Sequence, residues 1–270
     1  MTLYSDSRIS RYKSYFIVPI WILDDVGHFY PEIYDLVISK NLLTVKFDIL
    51  YIEKFIQLRK QIYWLCNWYN ELLKANIPVI KSKCFCINND INVMKNILLE
   101  ELTDKYKFIR FCNASPKDII SPIFNMFDEP DDIINIFTSS HRTNYMFDNI
   151  QHLTHIVIRP VIKIDHEVRC VWHDYILRAV SGPSYYINED DKLIIKLLVD
   201  KFFQQHGCNI VFNSAIIDIG ITQDDVYIIE INSFGVDMLS IIGHFDWEND
   251  FMVLYNSDTP VYRFKQEFEW

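Results

Sequence analysis

Three oxygen-bearing side chains in the stretch AIIDIGITQDDVYIIEINSFG, residues 215–235, are the first candidates for chemistry. Asp218 lies in one apolar run. Glu230 and Asn232 lie two residues apart in the next run, so they share one face of a strand. The short polar turn between the runs predicts a β-hairpin that brings all three groups together. Two carboxylates and an amide oxygen suit Mg²⁺, which completes its shell with phosphate oxygens and water. Structural ion pairs with nearby Lys or Arg are the other interpretation.

Three arginines in otherwise apolar runs carry the matching positive charge: Arg110 in FIRFC, Arg159 in HIVIRP and Arg169 in EVRCVW. An arginine in a half-buried strand needs an anion, which is either a carboxylate of the protein or a phosphate of a ligand. For each arginine alone a structural ion pair is the simpler interpretation. Together with the three oxygen ligands, they favour a nucleotide site. The chain has neither GxxxxGK[ST] nor GxGxxG, so side chains between two lobes would have to hold the nucleotide.

The elements that position these residues differ between the two halves of the chain. Strand and helix patterns alternate up to about residue 140, which indicates an α/β or α+β half. The longest helical pattern runs from Tyr51 to Asn76. A second helix begins after Asp90, and SPKDIISPIF predicts a third with Ser115 as its cap and Pro116 in its first turn.

The second half is richer in strands. HIVIRPVIKI predicts one strand, and the following run predicts a hairpin that turns near His173 and Asp174. The helix after Asn188 has acids in its first turn and Gly207 at its end. Its predicted apolar stripe consists of Ile194, Leu197, Leu198 and Phe202.

Composition sets outer limits on function. With 270 residues, 50% of them hydrophobic, the chain is long enough for one large or two small domains with a core. The net charge of −10 argues against nucleic acid or an anionic membrane as a general partner. We expect no signal peptide, no membrane span and free thiols, and therefore a cytoplasmic protein. Cys84 and Cys86 form a CxC pair that is a weak zinc signal by itself.

The order of the motifs resembles the cell division cycle protein 123 family of ATP-grasp proteins. HIVIRPVIKIDHEVRCVWHDYILRAVS, the helix after it, and IIDIG followed by VYIIEINSFGVDML resemble that family's LRKW, EFRCFV, VFDVY and WLIDFNPFG in order and spacing. Upstream, KFIRFCNASPKDI resembles FPKLNWSAPRDA, and FTSSH resembles FKSSD. The similarity covers roughly residues 105–250. Low glycine with abundant Ile, Asn, Lys and Tyr is also typical of an AT-rich genome, such as that of a large DNA virus or a parasite. A viral protein of this kind would lie in the host cytoplasm.

The resemblance implies an α+β ATP-grasp fold whose two lobes clasp a nucleotide. It implies an unassigned N-terminal α/β region at 1–105, the smaller lobe at about 106–155, and a C-terminal lobe with the Mg-ATP site at 156–270. The cofactors would be ATP and Mg²⁺, with the metal held by the three oxygen ligands named above. Val161 to Ile164 would form the adenine hinge after Arg159.

The same resemblance assigns phosphate contacts to two arginines and leaves two functions open. Arg110 stands where the family has a phosphate-contacting lysine, and Arg169 is expected at the terminal phosphate, where it would act in catalysis. Pro160 replaces a lysine and removes a backbone donor. One function is an assembly factor for eukaryotic translation initiation factor 2 that binds its gamma subunit. The other is an ATP-dependent carboxylate–amine ligase. A scaffold without nucleotide is the third interpretation.

Overall fold

The structure is a computed structural model that describes most of the chain after residue 64. The described residues are 65–88, 90–112, 114–144, 147, 155–223, 225–235, 242–247 and 249–266. The part of the predicted long helix before residue 65 lies outside them. Among the described residues, no helix has both the length and the apolar character that a bilayer span requires.

The described elements alternate at first and then become strand-rich. In chain order they are α1 (Leu65–Lys74), β1 (Lys83–Cys86), α2 (Ile91–Glu101), β2 (Lys107–Phe111), β3 (Ile123–Phe124), α3 (Pro130–Ser139), β4 (His155–Pro160), β5 (His166–His173), β6 (Ile176–Ser181), α4 (Glu189–His206), a 3₁₀ turn (Gly207–Asn209), β7 (Ser214–Ile221), β8 (Val226–Ser233), α5 (Phe251–Asn256) and β9 (Val261–Arg263).

The small sheet has the strand order β1-β4-β2-β3, and all of its pairs are antiparallel. Because side chains alternate across a strand, its two faces differ. Ile109, Phe111, Ile156 and Ile158 point to one face and form a core with α2 and α3. The opposite face carries Arg110 and Arg159, together with the side chains in register with them.

The large sheet has the strand order β8-β7-β5-β6-β9, in which only the β6–β9 pair is parallel. Val168, Cys170, Ile217 and Ile219 are fully buried in the core that this sheet shares with α4. The predicted hairpin at His173 and Asp174 is confirmed, since Asp174 and Tyr175 take positive φ values of 54° and 57° between β5 and β6. The hairpin of residues 215–235 is also confirmed as β7 and β8.

Helix α1 and the segment after it contact both halves of the molecule. Trp68 and Leu72 are buried in one apolar cluster with Cys112 and Val157 of the small-sheet half and with the core of the large sheet. Val79 forms a parallel bridge with Ile228 on the edge of β8. The small sheet contains strands from both sides of the predicted domain boundary at residue 105. The predicted boundary after residue 155 falls inside β4, which begins at His155. The domain boundaries at these two positions stay predictions.

Three predicted elements need correction. SPKDIISPIF makes only one helical turn, because Pro122 follows so soon after Pro116, and the chain then enters β3. The predicted strand HIVIRPVIKI ends at Pro160. In α4 the buried side chains are Ile195, Val199, Phe202 and Phe203, whereas Ile194 and Leu197 are exposed.

Candidate functional site

Three strands of the large sheet place charged side chains directly opposite one another. Arg169 of β5 pairs with Asp218 of β7, and Asp218 pairs with Glu230 of β8. The Arg169 guanidinium donates to both oxygens of Asp218, from Nε to Oδ1 at 2.6 Å and from Nη2 to Oδ2 at 2.7 Å. A bidentate pair of this kind fixes the orientation of both groups. In-register pairing therefore places one guanidinium and two carboxylates in a single row across the sheet.

Asn232 extends this row along β8. It lies two residues beyond Glu230 on the same face, and its Nδ2 is 3.4 Å from Oδ2 of Asp218. The three predicted metal ligands are thus neighbours, as the spacing in the sequence predicted. Which of them would hold a metal stays a prediction.

The small sheet contributes Arg110, which reaches across to the large sheet. Its Nη2 donates to Oε1 of Glu230 at 2.7 Å, and its Nε donates to the backbone oxygen of Phe111 at 2.9 Å. The Arg110 side chain is only 3% exposed. This ion pair joins residues 120 positions apart and marks the place where the charged faces of the two sheets meet.

Arg159 lies beside Arg110 on the small sheet and differs from the other two arginines in its partners. Its guanidinium stacks on the ring of Phe108 at 4.6 Å and donates to the backbone oxygen of Ile229 at 3.2 Å. Among the residues that the structure describes, no carboxylate forms an ion pair with it. Burial, followed by the nearby positive charge of Arg110, lowers the pKa of Arg159 to about 10. Within the described part of the chain, the site thus holds a buried cation that no carboxylate contacts.

The two carboxylates respond differently to this environment. Burial would raise the pKa of the Glu230 carboxyl, but the Arg110 guanidinium at hydrogen-bond distance outweighs burial and lowers that pKa to about 2. For Asp218, burial dominates, and its pKa is raised even though Arg169 donates two hydrogen bonds to it. A further positive charge near Asp218 would stabilise its ionised form.

Two charged residues near the site were not predicted to belong to it. Lys117, in the turn after β2, lies close enough to lower the pKa of Glu230 and to oppose the rise at Asp218. Glu167 lies two residues before Arg169 on the same face of β5, and burial together with the charge of Asp218 raises its pKa. Lys117 belongs to the SPKDI motif of the family resemblance, and that motif could have identified it as a site residue.

The predicted hinge occupies the link between the sheets. Residues 161–165 connect β4 of the small sheet to β5 of the large one. Val161 is exposed, whereas Ile164 is half-buried and packs so closely over Gly220 that a Cβ there would lie 3.1 Å from its Cδ1. A nucleotide between the sheets would meet this segment at the edge of the site, so the position is compatible with the hinge prediction.

The donor set fits a hard divalent cation. Asp218 and Glu230 supply carboxylate oxygens on adjacent strands, and Asn232 supplies an amide oxygen on the same face. Both carboxylates are paired with arginines in this structure, as the structural interpretation of the sequence also predicted. Each carboxylate oxygen has a second lone pair, so a cation can share these groups with the arginines.

Comparisons with known proteins agree with this architecture. No family model matches the chain. A putative CDC123-like protein of Acanthamoeba polyphaga mimivirus is 27% identical over 236 aligned positions, and the match covers 74% of this chain and 73% of that relative. Cdc123 from Schizosaccharomyces pombe superposes with a TM-score of 0.61 at 14% identity, covering 77% of this chain and 97% of the other. D-Alanine–D-alanine ligase from Bacillus anthracis, complexed with ATP, matches with a TM-score of 0.42 at 14% identity over 66% of this chain and 56% of that one.

The fold is α+β, as predicted, and it is shared with Cdc123 from Schizosaccharomyces pombe. Within that class, the resemblance to the cell division cycle protein 123 family is confirmed. It is carried by the sequence similarity to the viral CDC123-like relative and by the fold shared with the yeast protein.

Proposed function

We propose that this protein binds Mg-ATP between its two sheets and acts as a CDC123-like assembly factor. The observation that supports nucleotide binding most strongly is the environment of Arg159. Its guanidinium is buried, lies next to Arg110, and forms no ion pair among the described residues. A buried guanidinium without an anion costs free energy, and a phosphate group would remove that cost.

The other site residues have distinct parts in this proposal. Asp218, Glu230 and Asn232 would hold Mg²⁺, which would neutralise the negative charge of the phosphates. Arg110 and Arg169 would share their charge between these carboxylates and the phosphates, since the five donors of a guanidinium can serve more than one acceptor. The backbone from Val161 to Ile164 borders the adenine.

Calorimetry with ATP in the presence and absence of Mg²⁺ tests the site. We expect Mg-dependent binding by the wild type and its loss in Asp218→Ala and Asn232→Ala. The matched control is Asp250→Asn, because Asp250 makes a bidentate pair with Arg263 at 2.6 and 2.7 Å outside the proposed site. Wild-type affinity in both site variants would overturn the assignment. Loss of binding in the control as well would point to a general folding defect.

For the partner we propose the gamma subunit of eukaryotic translation initiation factor 2. The support is the similarity to the CDC123-like relative and to the yeast Cdc123 fold. This partner would place the protein in the cytoplasm. Purified gamma subunit should bind the chain in Mg-ATP with little release of ADP. If the chain instead converts ATP to ADP and phosphate when carboxylate and amine substrates are supplied, the ligase function replaces this one.

A further inference from the structure

Two cysteines and a histidine from separate elements converge on the charged face of the small sheet. Cys66 comes from α1, Cys112 follows β2, and His155 begins β4. One ligand atom from each, two sulfurs and a ring nitrogen, lie within 4.8 Å of one another. The backbone N–H of Cys112 donates to the oxygen of His155 at 3.3 Å, which fixes these two residues side by side.

His155 carries an unsatisfied polar atom at this place. Its Nδ1 is buried and has no hydrogen-bond partner within the described part of the chain. Buried ring nitrogens are normally satisfied, because leaving one unpaired costs about 1–3 kcal/mol. An unpaired nitrogen on a residue beside two sulfurs is the arrangement that a thiophilic metal would complete.

We propose that Cys66, Cys112 and His155 bind a zinc ion that fixes α1 to the small sheet. Two thiolates and an imidazole are typical zinc ligands, and a water molecule would take the fourth position. The residues lie 46 and 43 positions apart in the chain, so the site is invisible to a search for closely spaced cysteines. Its position beside Arg110, only two residues before Cys112, links the metal to the face that carries the proposed nucleotide site.

The protonation of the two thiols is compatible with metal binding. The Cys112 side chain lowers the pKa of Cys66, whereas the Cys66 side chain, together with burial, raises the pKa of Cys112. Zinc would displace the protons of both thiols and release them to solvent, so its affinity falls as the pH is lowered.

Metal analysis of the reduced full-length protein tests this proposal. We expect about one zinc per chain after purification. We also expect cobalt to produce a thiolate-to-metal charge-transfer band at one equivalent. Cys66→Ser and Cys112→Ser should abolish the band, and His155→Gln should weaken zinc binding by more than about 100-fold, since losing an outer-shell partner alone costs 10–100-fold.

The controls are Cys86→Ser and Cys208→Ser, which should keep the metal. Cys86 is the stricter one, because it lies directly across from His155 in β1. A wild-type protein that gives no thiolate band overturns the proposal without reliance on any variant. A Cys66–Cys112 disulfide in the protein isolated without reductant, or zinc retained by both cysteine variants, overturns it as well.

Discussion

At the scale of single residues, the site is governed by which charges have partners. Asp218 and Glu230 both accept from an arginine, yet their pKa values move in opposite directions. The difference arises because burial prevails at Asp218, whereas the Arg110 guanidinium prevails at Glu230. Arg159 differs from Arg110 and Arg169 because no carboxylate among the described residues contacts it. An anion entering between the sheets would therefore meet at Arg159 a positive charge that no described carboxylate balances.

The ion pair of Glu230 predicts a pH dependence of stability. Its pKa falls from 4.5 to about 2 in the folded protein, so the unfolded chain binds the proton more tightly. The stabilisation is therefore fully present above pH 4.5 and is lost as the pH falls through about 2. A shift of this size corresponds to about 3 kcal/mol.

Glu230→Gln tests this dependence by urea unfolding at a series of pH values. We expect the variant to be less stable by about 3 kcal/mol above pH 4.5, with the deficit shrinking toward pH 2. Asp225→Asn is the control, because Asp225 is an exposed acid in the turn of the same hairpin and contacts no arginine among the described residues. A deficit that does not change with pH would show that the ion pair does not control the stability of the hairpin.

At the scale of elements, the pairing of β7 and β8 was the most predictable part of the site. Two apolar runs joined by a short polar turn predicted the hairpin, and the spacing of Glu230 and Asn232 predicted their common face. The cross-strand register, which sets Arg169 opposite Asp218, depends on contacts between segments 49 residues apart. Periodicity within one segment contains no information on such a register. The contact of Arg110 with Glu230 was beyond prediction for the same reason.

The buried face of α4 shows where local pattern fails. Ile194, Ile195, Leu197, Leu198 and Val199 offer apolar side chains around most of the helix, so the sequence supports more than one stripe. The sheet selects Ile195, Val199, Phe202 and Phe203 and leaves Leu197 62% exposed. Tertiary packing thus decides between faces of similar hydrophobicity.

Alanine substitutions on α4 test which stripe carries the stability. Ile195→Ala should lower the free energy of unfolding by about 2–5 kcal/mol, because it leaves a cavity in the core under the sheet. Leu197→Ala should change it by less than about 0.5 kcal/mol, because its side chain faces solvent. Both variants remove an aliphatic side chain from the middle of the same helix, so each is the control for the other. If chemical denaturation gave both variants a similar loss in the free energy of unfolding, the buried face of α4 seen in the structure would be contradicted.

At the scale of the whole molecule, three kinds of connection between the two sheets stand out among the described residues. Residues 161–165 link them along the chain, Arg110 and Glu230 link them by charge, and α1 packs into an apolar cluster with both. Only the first of these was implied before the structure, through the hinge of the family resemblance. The role of α1 is a property of long-range packing, because its wide apolar face alone does not reveal what lies against it.

Binding between the sheets predicts that Mg-ATP protects both of them together. At a ligand concentration 100 times the dissociation constant, the bound state gains about 2.7 kcal/mol, so amides that exchange only through global opening should exchange about 100-fold more slowly. We expect this protection in β4 and in β8, measured by hydrogen exchange with mass spectrometry. Asp218→Ala should show none, and Asp250→Asn should behave as the wild type. Protection confined to one sheet would mean that the nucleotide does not lie between them.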